Sequence, residues 1–221
     1  MFAELLPHLG IAVVALSVGL IWEVWTDPDH EAALMSPQLP SSLGYAVLNI
    51  ALVTPAAIHL LAAIEPYVRP TAGLAVHPLV GLVLGFFIFE GISYGLHRLW
   101  HAFPMLMRFH RVHHGPRHLH THVAFRMHPV EVLAYILVGN LPLMMLGMPA
   151  WGGLYVLLAE RVYAVLLHTR VPFKLGVVGK VFASGEFHHR HHAPGARAYN
   201  FGGVVSLFDH QIGRASCRER V

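Results

Sequence analysis

Hydrophobic positions in this chain are gathered into long runs rather than spaced at alternating intervals. A helix that crosses a bilayer needs about 20 consecutive, mostly apolar residues. Residues 5–22 and 43–64 meet that need without one Asp, Glu, Lys or Arg, and residues 79–96 meet it with only Glu90 inside. Residues 132–148 and 151–167 form a fourth and a fifth run. This last pair is short, so it reads equally as a hairpin that dips into the membrane without crossing it. Glu160 and Arg161 interrupt the fifth run and are read as a local structural pair. The first run lacks a basic start, and no small-residue cleavage site follows it, which marks a retained helix rather than a signal peptide. The pattern predicts an all-α, multi-pass membrane helical bundle of four to five membrane segments, with residues 1–75 supplying the N-terminal transmembrane helices.

Composition supports lipid as the solvent. Hydrophobic residues make up 55% of the 221 positions and charged residues 12%, whereas a soluble domain carries about 25% charged residues. The few basic residues are placed unevenly. Arg98, Arg108, Arg111, Arg117 and Arg126 follow the third run, and Arg170, Lys174, Lys180, Arg190 and Arg197 follow the fifth. The positive-inside rule assigns both stretches to the cytoplasm. The acidic stretch 23–31 falls on the same side and, having no Lys or Arg, lends this orientation nothing.

Residues 212–221 (IGRASCRERV) resemble the in-frame translation of a common sequencing adapter and are set aside as an artefact. The natural C-terminus is then expected to be missing. Without the tail the chain has 12 basic against 11 acidic residues, so the sequence pI of 9.2 implies no nucleic-acid partner. The tail also holds the one cysteine, Cys217. That leaves histidine, not thiolate, as the metal-binding resource.

Nineteen histidines are present, and fourteen of them fall between His97 and His192. His97 and His101 are four apart at the end of the third run. His110, His113 and His114 form H-x-x-H-H, and His188, His191 and His192 repeat it. Offsets of three and four put each set on one helical face. Pro104 suits the first turn of the helix carrying the second set, with Gly115-Pro116 at its end. Ser184 suits the N-cap of the helix carrying the third set, with Ala193-Pro194-Gly195 as its stop. Eight facing imidazoles are too many for one ion. Two ions can take about four each, and neutral imidazole suits Fe, Zn, Cu and Ni. A structural zinc needs only four ligands, so two redox-active irons fit the count better. An all-imidazole cage needs acidic partners to orient its N–H groups. Glu90 is the first candidate, aligned with Tyr94 and His97, and a carboxylate inside a membrane helix is functional by default. Glu131, Glu186 and Asp209 are further candidates. His118, His120, His122 and His189 are assigned to solvated loop or helix faces, and His8, His30, His59 and His77 are treated as incidental.

Taken in order, these boxes resemble the fatty acid hydroxylase / sterol desaturase superfamily of integral-membrane non-haem diiron enzymes. The likeness covers residues 86–213. Glu90-x3-Tyr94-x2-His97-Arg98 resembles the family's lead-in, with Glu where Asp is usual, and residues 108–114 (RFHRVHH) its most recognisable block. Residues 125–131 (FRMHPVE) resemble its R-x-H-P-x-E block, which brings in His128 and Glu131. His168 stands where the family has a further histidine. Asn200-Phe201-Gly202 and Asp209 resemble its closing elements, with Phe208 in place of a tryptophan. Unusual histidines at 118, 120 and 122 depart from the pattern.

The resemblance implies a diiron domain over residues 76–211 and two non-haem iron ions. Their ligands would be His97, His101, His110, His113, His114, His168, His188, His191 and His192. His128, Glu90, Tyr94, Glu131, Asn200 and Asp209 would orient the rings or serve as further ligands, and no catalytic group is expected beyond the metal ligands. It also implies a membrane lipid substrate, O2, a separate electron donor, and an alcohol or alkene product. The competing readings are a non-catalytic membrane metal carrier or transporter, which needs ligands at mid-bilayer depth, and a haem carrier with axial histidines. A carboxylate-type diiron bundle needs two E-x-x-H motifs, and only Glu186 to His189 supplies one.

Overall fold

The computed structural model describes residues 2–29, 35–69, 78–148, 152–193 and 199–216. His30, His77, Arg197, the Pro194-Gly195 stop and residues 217–221 lie outside the described residues. The apolar runs fold as helices: α1 (Phe2–Thr26), α2 (Leu39–Val68), α3 (Pro78–Ala102), α5 (Pro129–Met145) and α6 (Gly152–Leu167). The histidine sets bring two more, α4 (Pro104–His114) and α7 (Gly185–His192), and a short α8 (Leu207–Ile212) follows. Among the described residues there is no strand, only an isolated antiparallel bridge between Phe182 and Val205.

Among the described residues, two helices are long and apolar enough to cross a membrane: α2 over Leu39–Val68 and α3 over Val80–Ala102. Only 17% and 28% of their apolar windows are buried, leaving Val47, Leu52 and Leu60 on α2, and Leu82, Val83 and Leu84 on α3, pointing outward. Two of the four to five spans expected are met by length and composition in this way. α5 has 17 residues and α6 has 16. At 1.5 Å per residue each is about 25 Å long, short of a hydrocarbon core of about 30 Å.

The bundle is knitted by close approaches at small residues. α3 packs on α4, α5 and α6, α2 on α5, and α1 on α6. Gly139 on α5 faces Phe89 on α3, and a Cβ there would come within 2.5 Å of the Phe89 ring. Phe89, Leu143 and Val156 form one core cluster, and Ala57, Leu61, Ile136 and Met144 another. α2 widens into a π-turn over Asn49–Val53, where the Thr54 N–H bonds the Asn49 carbonyl. Pro55 lacks an N–H, so the regular ladder is interrupted there in any case. The displaced Asn49 donates its amide to the Met127 carbonyl at 2.9 Å.

α1 is tied down by a buried carboxylate. Glu23 accepts the backbone N–H groups of Thr121 (3.2 Å) and Arg170 (2.8 Å). His120 lies 3.5 Å from it, and His122 meets Ser42 at 3.0 Å. His120 and His122 are therefore buried, not solvated as their loop position suggests. Burial lowers the His122 pKa to about 4. His118 is exposed, as expected. His189 is half-buried and donates to the Thr169 carbonyl at 2.9 Å.

Candidate metal centre

α4 begins at Pro104 and presents Met107, His110 and His113 to the interior. α7 is capped as expected, with the Ser184 hydroxyl accepting the Phe187 N–H at 3.2 Å, and buries His188 and His191. α3 runs past the apolar core to bring His97 and His101 alongside, and the turn after α6 adds His168.

These rings sort into two groups. His97, His101, His110, His114 and His191 form one, and His113, His168, His188 and His192 the other. Within each group one nitrogen from every ring lies within 4.8 Å of all the others. All nine histidines expected as ligands are thus brought together, His168 included. α4 and α7 each supply both groups, because i and i+4 (His110, His114) face one way while i+3 (His113) turns toward the other.

The orientation of the rings is set from outside. His97 Nδ1 donates to the Phe201 carbonyl (2.7 Å), His191 Nδ1 to the Tyr199 carbonyl (2.9 Å) and His168 Nδ1 to the Ala164 carbonyl (2.7 Å). His113 Nδ1 approaches the Arg126 carbonyl at 3.3 Å, and His110 Nδ1 bonds Glu131 at 2.6 Å. A carbonyl or carboxylate oxygen only accepts, so each of these Nδ1 atoms carries the proton and leaves Nε2 bare. Yet the bare Nε2 atoms face one another: His97 to His110 at 3.1 Å and His113 to His168 at 3.3 Å. Lone pair against lone pair repels unless a cation lies between. Metal–imidazole bonds of about 2.1 Å set at right angles place neighbouring nitrogens about 3.0 Å apart. The donor set of each group therefore fits a metal ion.

Burial also keeps the rings in the neutral form that binds metal. It holds the pKa values of His113, His188 and His192 well below the ordinary imidazole range, with neighbouring imidazoles adding to the effect. His114 is lowered likewise, and burial brings His168 and His191 to about 3.

The residues expected to orient the rings divide. Glu131 does so directly. Asp209 accepts the N–H groups of Phe201 (3.0 Å) and Gly202 (2.7 Å), fixing the carbonyl that holds His97. Asn200 sits at φ 59° between the Tyr199 and Phe201 carbonyls. Its amide donates to the Phe187 carbonyl, and its oxygen accepts the Ser216 N–H. Glu90, the first candidate on sequence grounds, does not touch an imidazole. It accepts the N–H groups of Val204 and Val205 at 3.1 and 3.0 Å, docking the C-terminal segment onto α3. Tyr94 packs against Phe201 and Phe208. His128 stands apart from both groups and caps α5 by accepting the Val130 N–H. Glu186 pairs with Arg190 at the surface. Glu160 and Arg161 form no ion pair with each other.

Sequence reasoning missed the backbone carbonyls of Tyr199, Phe201, Ala164 and Arg126, which leave no mark in residue type. It also missed a cavity of about 60 Å³ lined by rings of both groups together with Ser93, Glu131, Tyr135, Glu160 and Arg161. Residues 212–216, set aside as adapter, lie against the body: the Arg214 carbonyl accepts the Asn200 N–H, and Ala215 packs on Phe187.

Apolar helices long enough to cross a bilayer, together with two histidine groups that could hold metal ions, are the features of a membrane-associated, metal-binding protein. Residues 82–214 match the fatty acid hydroxylase family, so the chain belongs to that family. An ornithine lipid hydroxylase of Rhizobium tropici, OlsE, is 30% identical over 134 residues. The match spans 60% of this chain and 40% of that protein. No solved structure matches.

Proposed function

We propose that the chain is a multi-pass membrane non-haem diiron oxygenase that hydroxylates a C–H bond of a lipid. The balance is R–H plus O2, two electrons and two protons, giving R–OH and water. The electrons come from a separate donor. Bound at the two histidine groups, a pair of irons would supply O2 activation. His97, His101, His110, His114 and His191 would hold one ion, and His113, His168, His188 and His192 the other. The observation that carries this reading is the facing of bare Nε2 atoms at 3.1–3.3 Å. The family membership and the hydroxylase relative favour an alcohol over an alkene product.

The protein's own residues have three tasks. Glu131 and the Tyr199, Phe201, Ala164 and Arg126 carbonyls hold the rings in one tautomer and orientation. Met127, Tyr135, Ala164 and Leu167 wall the cavity and limit water beside the metal groups. The apolar outer faces of α2 and α3 keep the protein in the membrane that holds the substrate. Basic residues after α3 and α6 support a histidine cap on the cytoplasmic side.

The test is elemental analysis and lipid mass spectrometry of cells expressing wild type beside His113→Ala. Two irons per chain and a lipid heavier by one oxygen, both reduced in the variant, are expected. A wild-type protein with zinc at both groups and no altered lipid overturns the proposal.

A further inference from the structure

A second hollow, open to the outside, shares no lining residue with the cavity beside Tyr135. Its volume is about 330 Å³, and it is walled by Arg117 and His118 after α4, Arg170 after α6, and His189 and His192 of α7. No acidic side chain is among the described residues that line it. His192 belongs to the four-histidine group, and its ring stacks on His114 of the five-histidine group with centroids 4.2 Å apart. The inner cavity meets the same two groups through His97, His110, His113, His168 and His188. The two hollows therefore reach the centre through different rings.

The free charge around the outer hollow has one sign. Arg117 is exposed and has no partner among the described residues, and the same holds for Arg108 and Arg111 on the outer face of α4. The carboxylates of the cap are already taken. Asp27 and Asp29 pair with Arg170, Glu186 pairs with Arg190, and Glu23, Glu131 and Asp209 are buried.

We propose that this hollow is the docking surface of the electron donor, a soluble one-electron carrier protein with an acidic face, and that His192 is the ring where electrons enter. The need for a donor rests on the oxygenase reading; the recognition of an acidic protein does not. Two reduced carriers dock in turn, and each is oxidised by one electron. Together they supply the two electrons of the hydroxylation balance, while O2 and the two protons arrive separately. A small anion would use one or two of these cations. Arg108, Arg111 and Arg117 are spread along α4 and the turn after it, which matches the face of a protein. Complementary charge steers such encounters and sets their orientation. The His114–His192 stack then joins the ring at the hollow to both groups.

The test uses the full iron-loaded chain in phosphatidylcholine nanodiscs. The probe is an acidic plant-type ferredoxin, with a basic cytochrome c as its opposite in charge. Binding is read by biolayer interferometry, and electron transfer by anaerobic stopped-flow oxidation of the reduced probe. Wild type is expected to bind the ferredoxin and to lose about tenfold in affinity between low and physiological salt. Arg117→Glu should weaken binding about tenfold and slow ferredoxin oxidation in step. Its iron content and its reduction by methyl viologen should not fall. Lys180→Glu makes the same charge change at an exposed position outside the hollow and should leave both readings near wild type. Absence of ferredoxin binding, equal binding of cytochrome c, indifference to Arg117→Glu or an equal loss in Lys180→Glu each overturns the proposal. Should Arg117→Glu lose iron, Arg111→Glu tests the same face. A fluorophore on His118→Cys, in a Cys217→Ser background, separates protein from membrane as occupant. Its emission should shift on adding ferredoxin; a shift only when the discs carry phosphatidylglycerol assigns the hollow to lipid head groups and overturns the proposal. Docking and oxidation of ferredoxin without an oxygenated lipid sink the oxygenase reading alone. An oxygenated lipid formed with a small reductant, but no docking, sinks the docking surface alone.

Discussion

The hydrogen bond from His110 to Glu131, 2.6 Å between two buried side chains, fixes the tautomer of one ring in the five-histidine group. Glu131→Gln keeps the shape but removes the charge. Metal affinity at that group should fall about 10–100-fold, while the four-histidine group is much less affected. Competition with a chelator, read as two separate affinities, checks this. Acid acts on the same rings. An imidazole titrates near 6.5 when unfolded, whereas burial lowers His168 and His191 to about 3. Between those values the unfolded chain takes up protons that the folded one does not. The metal-free protein is therefore expected to hold its full stability above pH 6.5 and to lose it progressively as pH falls toward 3. Thermal melts at pH 7.5 and 5 should show the lower midpoint at pH 5, and an unchanged midpoint would contradict the buried neutral rings. Residue types and spacing were enough to find eight of the nine clustered histidines, because i, i+3 and i+4 offsets survive translation into structure, whereas His168 came in only through the family resemblance. Glu90 misled because helical alignment with His97 says nothing about distance along the axis, and two turns separate them.

Elements were legible wherever a long apolar run coincided with a helix, and less so where backbone groups decide. The segment around Asn200 is the clearest case: its φ of 59° and two side-chain bonds shape the turn whose flanking carbonyls hold His191 and His97. Asn tolerates the left-handed region better than most residues. Asn200→Ala should cost about 1–3 kcal/mol and loosen the five-histidine group before the other, seen as a lower melting midpoint with partial metal loss. Asn200→Gly keeps the backbone freedom but not the bonds, so it should recover only part of the loss. The α3–α5 contact makes a second case. Gly139→Leu would drive a side chain into Phe89 and should destabilise the bundle by about 1–3 kcal/mol, measured as a lower melting temperature in detergent. His120 and His122 escaped the sequence reading for a related reason. Their partners, Glu23 and Ser42, come from helices about 80 to 100 positions earlier, which local pattern cannot reveal.

For the molecule as a whole, the bilayer decides which surfaces are wet. Single-cysteine labelling in a Cys217→Ser background tests the proposed orientation. Cysteines placed at Arg117 and Lys174, both exposed, should react with a membrane-impermeant maleimide only from the cytoplasmic side, and labelling of either from the opposite side would invert the topology. Hydropathy marks α5 and α6 as apolar but not how far they reach, because it measures composition while their 17 and 16 residues set their length.

Since α4 and α7 each contribute nitrogens to both clusters, the two halves of the centre share one skeleton. Filling either half would clamp those helices and prepare the other, so a first ion is expected to raise the affinity for the second, and emptying one half is expected to loosen the other to a smaller degree.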